Sequence, residues 1–268
     1  MAGPRPAAQK SHLWRNVRIL LLLLVLLAVA LRTWLDRIET QSWQRTLWVG
    51  IYPYNGDGTA QAQRYVEALS VQDFADIEEF LSREGERYGL SLAQPVHIEL
   101  YPQGAQLPPL LEPGAGHLGG AWWSLKLRWF AATATAAPGR APPRIRMFVL
   151  FHDPATLQTV PDSHGLQKGL VGIVHAFADR TMNGRNNIVI AHELLHTVGA
   201  SDKYDFASGA PLFPSGYGDR DQRPLFPQQR AEIMAGRRAL AQQEWEMPRS
   251  LKSVVVGPET AVEIRWRR

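Results

Sequence analysis

Ile190-Ala191-His192-Glu193-Leu194-Leu195-His196-Thr197-Val198-Gly199-Ala200-Ser201-Asp202 is the stretch on which the reading of this 268-residue chain turns. Positions four apart share one face of a helix, so His192 and His196 can aim imidazole nitrogens at a single zinc ion. Glu193 sits beside the first histidine and reaches the water on that ion rather than the ion itself. Zinc lowers the pKa of such a water towards about 7, and the carboxylate takes its proton as it attacks a carbonyl. Leu194, Leu195 and Val198 bury the rest of the helix. Gly199 can adopt the left-handed conformation that ends a helix, turning the chain so that Asp202 returns to the ion. A carboxylate is an acceptable third ligand and leaves the fourth position to water. Asp205 lies close enough to compete, and Asp202 is preferred. The bland alternative is an amphipathic helix with two incidental histidines; it has no use for Glu193, Gly199 and Asp202 at these intervals.

The run H-E-x-x-H-x-x-G-x-x-D resembles the extended motif of the metzincin clan of zinc metallopeptidases, H-E-x-x-H-x-x-G-x-x-H. A minority of that clan, the snapalysin-like enzymes, has Asp in the last position, as at Asp202. Glu232-Ile233-Met234-Ala235-Gly236, downstream of the zinc helix, is similar to the methionine turn found under the metal in that clan. The specific resemblance covers residues 192–236; elsewhere it is architectural. It implies an α/β (α+β) fold, with a twisted mixed sheet and helices in an N-terminal subdomain, a zinc helix, and a loop-rich C-terminal subdomain carrying the Met-turn. It also implies a zinc-dependent peptidase with His192, His196 and Asp202 on the metal, Glu193 as general base, and a peptide or protein substrate. Gly236 stands where some members place a tyrosine near the metal. Tyr204 and Tyr217 are weighed for that role, although a packed aromatic is the simpler reading of each.

Working outward, residues 47–54, 95–101 and 144–151 read as strands, with a turn at 55–58 and helical spacing from 62 to 88. Residues 102–120 read as a loop, 121–130 as a helix or a strand, and 169–178 as a strand or a pair. Asn183-Gly184 and Asn186-Asn187 suggest turn and cap chemistry before a zinc helix starting near Ile188. The chain is then turn-rich to 227 and helical near 228–234. His175 reads as a structural histidine in preference to a cleft residue, and His97, His117, His152 and His164 receive no role. Asp162, Ser163 and His164 are sequence neighbours and make no triad, because triads assemble in space. Trp122, Trp123 and Trp129, with Lys126 and Arg128, read as a core element with snorkelling charges rather than a membrane or groove surface. Residues 265–268 read as a solvated terminus.

Residues 19–31 (ILLLLLVLLAVAL) form an uncharged apolar run. Extended to residue 35 it approaches the length of a membrane span. It can also be a signal peptide, with Ala28-Val29-Ala30 as the small-residue cleavage site. The uncleaved anchor is preferred. The expected organisation is a basic cytoplasmic N-terminus (1–18), the anchor or signal peptide (19–35), a linker (36–46) and the metallopeptidase-like domain (47–268). The basic excess before the run puts that domain on the extracytoplasmic side of a single-pass membrane protein, or outside the cell if residues 1–30 are removed. Residues 1–45 hold seven basic and two acidic side chains, a net +5 in a chain of +4, which leaves the remainder at −1. The basic pI therefore belongs to the N-terminal segment, and nucleic acid is not an expected partner. No cysteine is present, which excludes thiolate metal sites and cysteine nucleophiles. Two other functions remain open: a non-catalytic zinc-stabilised binding or assembly module of the cell envelope, and a zinc amidase acting on cell-wall amides. The oligomeric state is open as well.

Overall fold

Side-chain alternation along three apolar strands divides the protein's interior into two layers. The computed structural model describes residues 10–112, 114–134, 142–167 and 169–267; residues 1–9, 113, 135–141, 168 and 268 lie outside it, and with them Arg5, part of the Ala/Pro/Gly stretch and Arg268. The chain divides into two compact units, Met1–Glu39 and Thr40–Arg268.

The first unit is dominated by helix α1 (Lys10–Thr40), whose window Trp14–Leu31 has mean hydropathy 2.1 and none of its surface buried. It is long and apolar enough to cross a membrane. The helix runs to Thr40, so the expected linker is helical for its first residues. Thr40, Gln41 and Trp43 are already buried in the second unit, which therefore begins ahead of residue 47.

The second unit is a mixed α/β fold. Strands β1 (Leu47–Asn55), β2 (Val96–Leu100), β3 (Ile145–His152), β4 (His164–Leu166) and β5 (Val171–Phe177) form one sheet in the order β2-β1-β3-β5-β4. All pairings are parallel except β4 with β5. Leu47, Val49 and Ile51 of β1, with Ile145, Met147, Val149 and Phe151 of β3, face helices α2 (Ala60–Glu67), α3 (Ala75–Arg87) and α5 (Asn183–Thr197). The intervening Tyr52, Tyr54, Phe148 and Leu150 face helix α4 (His117–Ala134) through Trp123, Leu127 and Ala131. Both faces of the central strands are covered, which is why they read as continuous apolar runs.

Several elements differ from expectation. The helical spacing of 62–88 breaks at a 3-10 turn, Val71–Phe74, into α2 and α3. Residues 121–130 are helical, and helix α5, which carries His192 and His196, starts at Asn183 rather than near Ile188. Its asparagines act inside the helix: Asn186 exchanges two hydrogen bonds with the backbone of Phe177, while Asn183 and Asn187 both donate to Asp73 O. Gly184 is needed there because a Cβ would strike the carbonyl of Arg249. Residues 228–234 are not helical. Gln228 bonds the backbone of Asp219 in both directions, and β6 (Ala231–Glu232) pairs in parallel with β9 (Val254–Val255). The hairpin of β7 (Arg238–Ala241) with β8 (Glu244–Glu246), and helix α6 (Pro258–Glu263), complete the unit.

Nor is the end of the chain simply solvated. Trp266 is 5% exposed and meets Trp43 edge to face at 5.5 Å. Trp43 in turn donates to Ile264 O at 2.7 Å. Trp266→Ala is expected to lower unfolding free energy by about 3 kcal/mol, as for other buried tryptophans. Denaturant unfolding of the folded chain measures this, and a loss within about 0.5 kcal/mol would mean that the residue behaves as surface.

Candidate metal centre

Helix α5 ends in a Schellman motif, with Ala200 N donating to Leu195 O and Gly199 N to His196 O. Gly199 has φ 109°, and a Cβ there would lie 2.6 Å from Gln41 Nε2, so both the backbone and its surroundings call for glycine. The turn returns the chain so that Asp202 faces the helix it has just left. Asp202 Oδ1 lies 3.0 Å from His192 Nε2 and 3.2 Å from His196 Nε2. The two Nε2 atoms are themselves 3.0 Å apart.

The protonation of both rings follows from their other nitrogens. His192 Nδ1 is 3.0 Å from Ile233 O, and His196 Nδ1 is 2.9 Å from Ala200 O. A carbonyl only accepts, so each Nδ1 carries the proton and donates it. In the neutral rings both Nε2 lone pairs then converge on each other and on a carboxylate oxygen. Three acceptors this close are stable only around a cation, and a two-imidazole, one-carboxylate set suits a borderline divalent metal. A proton is the alternative occupant. Burial pulls the His192 pKa down, but the hydrogen bond to Asp202 and the nearby carboxylate charges outweigh it, and the net shift is upward. Burial raises the Asp202 carboxyl, and hydrogen bonds from the two histidines more than reverse this, leaving it well below the usual carboxylate range. A metal at this point would compete with a proton.

Glu193 is buried, and among the described residues its Oε2 finds no hydrogen-bond partner. Burial raises its pKa against the opposing charges of His192, His196 and His164. An orphaned carboxylate oxygen in the interior is costly unless something polar comes to it. Glu193 falls with His192 and His196 in one group whose ligand atoms lie within 4.8 Å of one another.

The turn at 232–236 supports the first histidine from below. Gly236 N donates to Glu232 O, with φ 67° at Gly236. The buried Glu232 side chain accepts from Met234 N, Ala235 N, Gly257 N and Thr260 Oγ1. Ile233 O is thereby fixed for His192, and Met234 O accepts from Lys203 N beside Asp202. Met234 itself is fully buried.

Compared with known protein families and with curated proteins, the chain matches none. Asp205 is turned to its own loop, accepting from Ser208 N and Oγ. Tyr204 has its ring 6.4 Å from that of His192, whereas Tyr217 packs against Phe213 and Phe226. His175 is buried and pairs with His152, which the sequence left without a role, and it also lines a cavity along α5. The rings stack at 5.1 Å with His152 Nε2 2.8 Å from His175 Nδ1. Burial, with His152 adjacent, pushes His175 down to about 4, so the pair is neutral and shares one hydrogen bond. No sequence signal joins them, because they lie on neighbouring strands.

Two more features escaped the sequence. β4 is an edge strand laid against α5, so close that a Cβ on Gly165 would strike the carbonyl of Glu193. An apolar cavity of about 300 Å³, lined by Leu157, Val160, Phe177, Met182, Val189 and Met247, lies along α5 on the turns preceding His192.

If Asp202 completes the donor set, Asp202→Ala should lower divalent-metal affinity on the order of 100-fold, the upper end of what even indirect supports of a metal site contribute. Asp205→Ala should leave it unchanged. Equilibrium dialysis of the three proteins compares them, and equal binding by all would remove Asp202 from the centre.

Proposed function

We propose that this chain is a zinc-dependent peptidase of metzincin type, held at a membrane by α1 with its catalytic unit on the extracytoplasmic side. The observation that carries this reading is the meeting of His192 Nε2, His196 Nε2 and Asp202 Oδ1 within 3.0–3.2 Å, beside the unpartnered Oε2 of Glu193. A purely structural metal site has no need of a buried, unpaired carboxylate. The turn at 232–236 is read as the methionine turn, because it lies under His192 and holds that ring through Ile233 O.

His192, His196 and Asp202 would hold the zinc, which when bound would polarise the scissile carbonyl and acidify a water. The chain's own groups supply the rest. Glu193 accepts a proton from the attacking water as the new C–O bond forms. It returns that proton to the amide nitrogen as the C–N bond breaks. Burial raises its pKa, which makes it a better acceptor for the water proton than an exposed carboxylate. The two Nδ1–H donors keep the imidazoles from rotating during the exchange. An extended peptide can add to the free edge of β4 by main-chain pairing, which runs it past Glu193 and His196. The cavity along α5 would take one of its apolar side chains.

The test is Glu193→Gln in the full-length protein, assayed for zinc content and for cleavage of a broad peptide library. Zinc should stay bound while cleavage falls about 10²- to 10⁴-fold, the usual contribution of a general base. Undiminished cleavage with zinc bound would rule out this role for Glu193. Failure of the unmodified chain to cleave any peptide would favour a zinc-stabilised binding module or an amidase.

A further inference from the structure

Helix α4 is amphipathic in two directions. Trp123, Leu127 and Ala131 point into the core, while Leu118, Trp122, Leu125 and Trp129 form a second apolar stripe on the outward face. These four are 88%, 61%, 55% and 72% exposed. The loop before the helix adds exposed Leu107 and Leu110, and is tied to it by Trp123 Nε1 donating to Pro109 O at 2.7 Å. A contiguous apolar surface of this kind marks a place where something binds.

We infer that this face of α4 rests in the interfacial layer of a phospholipid bilayer, the one that α1 enters. The inference goes beyond peptidase activity and rests on the membrane reading of α1. Three observations select lipid as the occupant. The stripe is built of leucine and tryptophan, the residues that settle at the boundary of headgroups and acyl chains. Helix α4 itself carries no Asp or Glu, and its Lys126 and Arg128 give it a charge suited to anionic headgroups. Exposed Lys126 flanks the stripe, where its ammonium can reach a phosphate while its stem lies along the apolar surface. Finally, only residues 32–39 separate the apolar window of α1 from Thr40, the first buried residue of the catalytic unit. A tether so short keeps that unit within reach of the bilayer surface.

A chain without cysteine allows single spin labels to be placed at will. Full-length protein carrying Val25→Cys, Leu125→Cys or Val262→Cys would be labelled and reconstituted into nanodiscs of phosphatidylcholine and phosphatidylglycerol. Collision with oxygen is then compared with collision with a water-soluble nickel chelate. Labels at 25 and 125 should favour oxygen, and the label at exposed Val262 on α6 should favour nickel. Leu118→Cys repeats the reading at a second point on the stripe. A label at 125 that matches 262 while 25 remains in lipid would overturn the inference and leave the anchor intact. Aqueous readings at both 25 and 125 would remove the anchor and the inference together, and peptide cleavage would be untouched. Spin–spin broadening at 125 in detergent as well as in nanodiscs would assign the face to a second copy of the chain instead of lipid.

Discussion

Two backbone carbonyls, Ile233 O and Ala200 O, decide where the chemistry of this protein can occur. Each takes the Nδ1 proton of one histidine and so turns the lone pair of the other nitrogen toward Asp202. Neither carbonyl belongs to the helix hydrogen-bond ladder of α5. One comes from the turn just beyond that helix, the other from a loop held by the buried Glu232 carboxylate. Removing a proton from choice in this way is what makes a metal centre selective for its ligand atoms. The burial of Glu232 is tolerable only because four donors converge on it; those donors are in turn what keeps Ile233 O in place.

The sheet supplies the second constraint. Parallel β1, β3 and β5 are covered on both faces, so α5 must leave β5 and pack back across one layer while α4 closes the other. Antiparallel β4 then lies at the border, paired on one side only and pressed onto the ligand-bearing helix at Gly165. Edge strand and cavity thus follow from where one helix has to go, with no separate scaffold for each.

The ligand helix was legible in the sequence because its chemistry is local: histidines four apart, a glycine that must be left-handed, and an acid three residues later. The buried strands were legible for the same reason, as short apolar runs with turn residues at their ends. What failed was long-range. Asn183, Asn186 and Asn187 look like turn formers, yet their amides bond to Asp73 and Phe177, which no local pattern reveals. Residues 228–234 have helical spacing, but their hydrogen bonds go to Asp219 and Val254–Val255. The His152–His175 pair requires knowledge of strand neighbours, and the burial of Trp266 requires Trp43, more than two hundred residues away. Trp122 and Trp129 were taken for core because composition cannot say which face of a helix is already covered.

Gln41 donates to Val198 O at 2.6 Å, at the last turn of the ligand helix, and Trp43 binds Ile264 O. The residues that follow α1 are therefore stitched into the second compact unit where helix α5 gives way to the Asp202 loop. Mechanically, tension on the segment ahead of Gln41 is delivered to the carbonyl beside Gly199 rather than dissipated in a slack connection. Trimming the chain before residue 44, the obvious way to obtain a shorter protein, would cut that stitch and loosen the turn on which the third ligand hangs.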